Sequence, residues 1–178
     1  MWVADMRPPF DPAVDAELAV LSEQLGRPLR GVVGIAARCV CGNPTVVATA
    51  PRLPDGTPFP TLYYLSHPAA TAALSTLEAT GTMAELSAEL EADADLAAAY
   101  RAAHESYLAD RASLDDVPEI DGYSAGGMPA RIKCLHALAA HALAAGPGVN
   151  PIGDRALALC SWSPSRCACA SPGAATAG

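Results

Sequence analysis

The sequence predicts an α+β fold that is mainly helical, with about five helices covering a small antiparallel sheet near the N-terminal third. Aromatic residues make up only 5% of the chain and alanine is abundant, which suits helices packed through small side chains better than an aromatic-rich sandwich. Apolar residues recur at helical spacing in several segments, whereas β-branched runs concentrate between Leu29 and Leu65, where proline and glycine turns interrupt them. A chain of 178 residues with 51% hydrophobic content has material for one core.

Taken in order, "PAVDAELAVLSEQLGRP" spaces Val14, Leu18, Leu21 and Leu25 along one helical face and stops at Gly26 before Pro28. "LRGVVGIAARC" and "PTVVATAPRL", parted by the turn "CGNP", read as a strand pair with the first cysteines at the end of the first strand. Leu62, Tyr63, Tyr64 and Leu65 continue into a third strand, and His67 lies just beyond it. Pro68 opens a helical segment that ends at Gly81, and Thr82 is the expected N-cap of the next helix, with Glu85 three residues on.

"DADLAAAYRAAHESYLADRASL" is the most periodic segment: Leu96, Tyr100, His104, Tyr107 and Arg111 share one face. After a loop from Asp115 to Ser124, Pro129 is expected at the first position of a helix that Gly146 and Pro147 end. "GPGVNPIGD" reads as a rigid turn capping that helix and redirecting the chain, with Asp154 turned toward a neighbouring pocket as the alternative. The low-complexity end is expected to be disordered, dividing the chain into an N-terminal helix (1–26), a globular domain (27–160) and a tail (161–178).

Charge and hydropathy narrow the function. A formal net charge of -8 disfavours non-specific nucleic-acid binding, which relies on basic surface. The charge is uneven: acids dominate between Glu78 and Asp121, while Arg27, Arg30, Arg38 and Arg52 occupy a stretch without any acid, so a local site for a small anionic ligand survives. No segment approaches a membrane span, and no apolar stretch follows a basic start as in a secretory leader. The expectation is therefore a cytoplasmic protein whose six cysteines are thiols or metal ligands.

Two cysteine-bearing segments, "ARCVCGNP" and "RIKCLH", frame the metal reading. Cys39, Cys41, His67 and Cys134 are the expected ligands of a tetrahedral site assembled from the ends of elements. On a helix started by Pro129, Cys134 shares a face with Leu138 and His141 while His136 points away, so His136 and His141 are held as reserve ligands. Three thiols and an imidazole suit zinc, with an iron–sulfur cluster as the alternative, and a site closed by four protein ligands is structural first. The competing reading makes Cys39 and Cys134 small buried hydrophobes. Cys167 and Cys169 repeat the C-x-C spacing in the tail, where ordering entropy opposes a site and oxidation-prone thiols are expected.

The rival function is an enzyme acting on a small anionic or phosphorylated substrate. Gly126 and Gly127 precede the expected helix start, with Arg131 and Lys133 in its first turn, and Arg38 and Arg52 are able to join them. His104 or His136 would then transfer the proton. A thiol redox protein using Cys39 and Cys41 ranks last, since cysteines so close in sequence close a strained ring. Neither a Walker loop nor H-E-x-x-H nor a dinucleotide-binding glycine loop is present.

The segments "RCVCGNP", "PRLPDGTPFPTLYYLSHP", "LEATG", "AHESYL" and "SAGGMPARIKCLHALAAHALAAGPGVNPIGD" together resemble the bacterial domain-of-unknown-function family 501, over about Arg27 to Leu159. The resemblance implies a compact bacterial cytosolic protein and supplies no activity. It also implies a cysteine at the position of His67, so that one soft ligand replaces another, an exchange easier at a zinc site than in an apolar core.

Overall fold

The computed structural model describes residues 8–169, and its element order is α1 (Asp15–Leu25), β1 (Val32–Arg38), β2 (Pro44–Thr49), β3 (Tyr63–Leu65), α2 (Pro68–Ala79), α3 (Thr82–Ala92), α4 (Ala94–Ala112), a 3-10 turn (Pro118–Ile120), α5 (Leu135–Ala145) and α6 (Pro151–Leu159). The three strands form an antiparallel sheet in the order β1-β2-β3, with Ile35 opposite Val47 and Val46 opposite Leu65. The expected α+β class and the N-terminal sheet are both present, with six helices among the described residues. None of these helices is long and apolar enough to cross a membrane.

β2 is buried along its whole length because both faces of the sheet are covered. On one face Leu21 of α1 meets Ile35 and Val47. On the other, Ala37, Val46, Ala48, Tyr63 and Leu65 enter the main core with α5. Apart from its histidines, α5 consists of apolar residues around its whole circumference, the pattern of a helix enclosed by other elements. It packs on β3, α2 and α6. At Gly153 of α6 an added Cβ would lie 2.2 Å from the Leu138 carbonyl oxygen, so only glycine permits this close contact.

The predicted face of α4 is buried throughout and holds the loops around the core. Tyr107 Oη accepts from the Leu62 N–H at 2.6 Å, and Tyr63 Oη donates to Asp110 at 2.8 Å. Arg111 donates to the carbonyls of Pro60 (2.9 Å), Ile120 (2.7 Å) and Tyr123. Burial, outweighing its hydrogen bonds, pushes the Tyr107 phenol up to about 12.

Three local expectations are corrected. The N-cap of α3 is Gly81, at φ 89°, so Thr82 is the first helical residue and is buried. "GPGVNPIGD" does more than turn the chain: Asn150 accepts from the Gly153 N–H at 2.9 Å and Pro151 takes the first helical position, which starts α6. The largest correction concerns Pro129, which does not start a helix. Residues 126–133 form a loop closed on itself, with the Arg131 N–H bonded to the Gly127 carbonyl and the Lys133 N–H to that of Gly126. Tyr100 Oη donates to the Arg131 carbonyl at 2.9 Å and anchors that loop. Helical hydrogen bonding begins only at Leu135, with Cys134 extended just before it.

Candidate metal centre

The turn between β1 and β2 is built by the Cys39 N–H bonding to the Asn43 carbonyl and the Gly42 N–H bonding to the Cys39 carbonyl, both at 2.8 Å. Gly42 sits at φ 92°, a left-handed conformation that glycine adopts without a Cβ penalty. This turn carries the buried Cys39 and the half-buried Cys41 at the end of the sheet. Arg38 braces its root, donating to the Gly42 carbonyl at 3.0 Å and pairing with Glu17 of α1.

The chain after α6 returns to the same place. Trp162 is buried, its ring 5.2 Å from that of His67, and Cys169 Sγ lies 3.5 Å from Cys41 Sγ. The sulfurs of Cys39, Cys41, Cys167 and Cys169 all lie within 4.8 Å of one another, and all six cysteines are thiols rather than disulfides. A tetrahedral zinc with four thiolates places its sulfurs roughly 3.8 Å apart, so the donor set fits such an ion. Burial pushes the Cys39 thiol up, and burial together with its neighbour Cys41 pushes Cys169 up to about 12. Cys39 and Cys169 therefore resist shedding their protons unless a cation takes their place.

His67, one of the four expected ligands, borders this cluster. Its Nδ1 accepts from the Ala70 N–H at 3.4 Å at the start of α2, which leaves the ring proton on Nε2, 3.3 Å from Cys169 Sγ. The ring is enclosed, and burial lowers its pKa below the usual imidazole value. His67 therefore donates to the sulfur of Cys169. Of the tail expected to be disordered, residues 161–169 are described and contain no helix or strand; residues 170–178 lie outside the described residues.

Cys134 joins a different group, with Glu78 and His136. Because it precedes α5, the helical phase that paired it with His141 does not apply to it. Cys134 Sγ lies 3.9 Å from His136 Nδ1, and that nitrogen lies 3.2 Å from Glu78 Oε1. Glu78 also accepts from the Leu135 N–H at 2.7 Å, so a carboxylate occupies the N-terminus of α5. Hydrogen bonding from His136 holds the Cys134 thiol below its ordinary value against the effect of burial. The same contact, joined by the Thr71 carbonyl and Glu78, lifts His136 to about 9. Cys134 and His136 line a cleft of about 610 Å³ between β3 and α2. His141 is elsewhere, wholly buried between the rings of Tyr63 and Tyr107, with Nδ1 3.1 Å from Asn150 Nδ2.

The expected anion residues are dispersed. Gly126, Gly127, Arg131 and Lys133 border one shallow surface pocket, but the helix N-terminus meant to complete it lies at Leu135. The glycines serve packing: a Cβ on Gly126 would lie 2.5 Å from Leu138 Cδ2, and one on Gly127 would lie 2.6 Å from the Arg131 carbonyl oxygen. Arg38 pairs with Glu17, and Arg52 with Glu119 at 2.8 Å. His104 is buried on α4, with Nδ1 2.8 Å from Ser124 Oγ.

Sequence reasoning missed two partners. The repeated C-x-C spacing of "CVC" and "CAC" was the available sign that the tail pair completes the hairpin pair. Glu78 carried no sign, because its proximity to α5 depends on how two helices pack. Neither a curated protein nor a solved structure matches the chain. The model of one family, described as "Protein of unknown function (DUF501)", matches residues 35–158. That span holds Cys39, Cys41, His67, Glu78, Cys134 and His136 and stops short of Cys167 and Cys169, and the chain belongs to the DUF501 family.

Proposed function

We propose that this is a cytoplasmic metal-binding domain in which Cys39, Cys41, Cys167 and Cys169 hold one zinc ion in a closed, structural site. The observation that carries the reading is the mutual approach of four thiols, within 4.8 Å, from a hairpin turn and a distant chain end. Four thiolates complete a tetrahedral shell and leave no position for substrate, which makes the ion a clasp rather than a catalyst. His67 supports the shell by donating Nε2–H to Cys169, the kind of outer hydrogen bond that orients a ligand and steadies its charge. The clasp joins the segment after α6 to the end of the sheet and covers His67 with Trp162. Thiols spaced this closely persist where disulfides do not form, which fits a reducing compartment.

Elemental analysis of protein purified without chelator or nickel tests the reading, comparing wild type with the double variant C167S/C169S. The variant should hold one zinc fewer per chain. Equal zinc in both proteins would remove the clasp. Iron with visible absorbance, lost in the variant, would replace zinc by an iron–sulfur cluster on the same cysteines.

A further inference from the structure

Glu78 lies near the end of α2, Cys134 immediately before α5 and His136 in its first turn, so the packing of two helices brings three different donor atoms together. The hydrogen bonds of His136 define what stands between them. Its Nε2 lies 3.1 Å from the Thr71 carbonyl oxygen, which only accepts, so Nε2 carries a proton. Ser75 Oγ, also 3.1 Å from Nε2, faces the same edge of the ring. Nδ1 then meets a carboxylate oxygen at 3.2 Å and a sulfur at 3.9 Å, a gap that is filled either by a second imidazole proton or by a metal ion.

A metal ion fits that gap. Around a tetrahedral zinc, a nitrogen and an oxygen ligand stand roughly 3.3 Å apart and a nitrogen and a sulfur roughly 3.5 Å apart, close to the two distances found. A histidine that donates its other ring nitrogen to a backbone carbonyl is the usual arrangement of a metal-bound imidazole. One thiolate and one carboxylate neutralise a divalent ion, and the Leu135 N–H steadies the carboxylate from outside. Three protein ligands leave a fourth position, and Cys134 and His136 stand in the wall of the 610 Å³ cleft.

We infer that Glu78, Cys134 and His136 form a second, open zinc-type centre whose free coordination position faces the cleft between β3 and α2. The cleft is lined largely by apolar side chains such as Leu25, Tyr64, Leu65 and Pro68, with Gln24, Thr61, Ser66 and Thr71 as polar points and, among the described residues, no lysine or arginine. The ligand it suits is a small uncharged molecule with an apolar body that offers an oxygen to the ion. This centre does not depend on the four-cysteine clasp, with which it shares no residue.

Cobalt(II) titration of the full chain tests the inference, read by visible absorbance and by the bound equivalents after gel filtration. Wild type should bind one equivalent more than C134S or H136N, whereas C167S/C169S should retain the equivalent that those variants lose. E78Q keeps an acceptor for the Leu135 N–H, so it should fold and still bind cobalt at least about tenfold more weakly. Equal uptake by wild type, C134S, H136N and E78Q would overturn the centre. Alkylation of Cys134 by iodoacetamide at a rate indifferent to zinc would also overturn it and leave a thiol paired with an imidazole in its place.

Discussion

The hairpin cluster and the cleft group use the same element, sulfur, in opposite surroundings. Cys39 and Cys169 stand among other thiols, and burial raises both; Cys134 stands beside an imidazole that lowers it. The first set has four like donors. The second has three unlike donors and borders a cleft. Their relation to the family differs as well: residues 35–158 contain the whole cleft group but only the hairpin half of the clasp. Under the two proposals, the clasp is a device for holding the chain end and the cleft group is the reactive part of the molecule.

Loss of the clasp should have the largest effect on stability. C167S/C169S should lower the Tm measured by calorimetry by about 10 °C, on the order of 3 kcal/mol for a chain of this size, because a structural ion contributes directly to folding. C134S, at a site open to the cleft, should lower it much less. Equal losses would erase the contrast between clasp and cleft.

Gly153→Ala disturbs the scaffold beneath both sites without touching a ligand. The added methyl collides with the Leu138 carbonyl, so α6 must shift from α5 at a cost of roughly 1–3 kcal/mol in denaturant unfolding. Metal content should stay at the wild-type level. A fall in metal would show that α6 sets the geometry of the sites.

The enclosed side of the core is read by alkaline titration. Tyr107 is raised to about 12 by burial, and burial raises Tyr100 further still. A raised folded pKa means a contribution present below the unfolded value of about 10 and lost as pH rises through the folded value. At pH 11, phenolate absorbance should therefore show these two of the five tyrosines still protonated in folded protein, appearing only on unfolding. Early ionisation of Tyr107 would contradict its burial, because the Leu62 N–H that its oxygen accepts favours the phenolate.

The smallest effect belongs to Glu17. Burial opposes its ionisation, but the bond to Arg38 and the Val14 N–H outweigh it, so its pKa is lowered. A lowered folded pKa gives stability present above the unfolded value of about 4.5 and lost as pH falls through the folded one. Glu17→Gln should cost about 1 kcal/mol or less at pH 7 and nothing at pH 2, with zinc content unchanged.

Local patterns accounted for much of the architecture. The face from Leu96 to Arg111 is buried as its spacing required, and the "CGNP" turn does place two thiols at the end of β1. The prediction was poorest where a local signal met a tertiary competitor. Pro129 marks a helix start in an isolated segment, yet Tyr100 and Glu78, on two other helices, hold the chain out of helical form until Leu135. That delay moved Cys134 off the face of His141 and beside His136. The expected ligand set drew Cys39 and Cys41 from one group and Cys134 from the other, because spacing shows which residues suit a metal but not which of them meet.

By itself the sequence determined the fold class, the sites of most helices and strands, the turn that presents Cys39 and Cys41, and the family. These follow from periodicity, glycine and proline, whose effects act within a few residues. Only the tertiary structure decided that Cys169 reaches Cys41 across 128 positions of chain, that Glu78 meets Cys134 and His136, and that His141 stays between two tyrosines. Such meetings depend on how the helices close over the sheet. The energy that selects them is apolar burial spread over the whole core, which no short stretch of sequence contains.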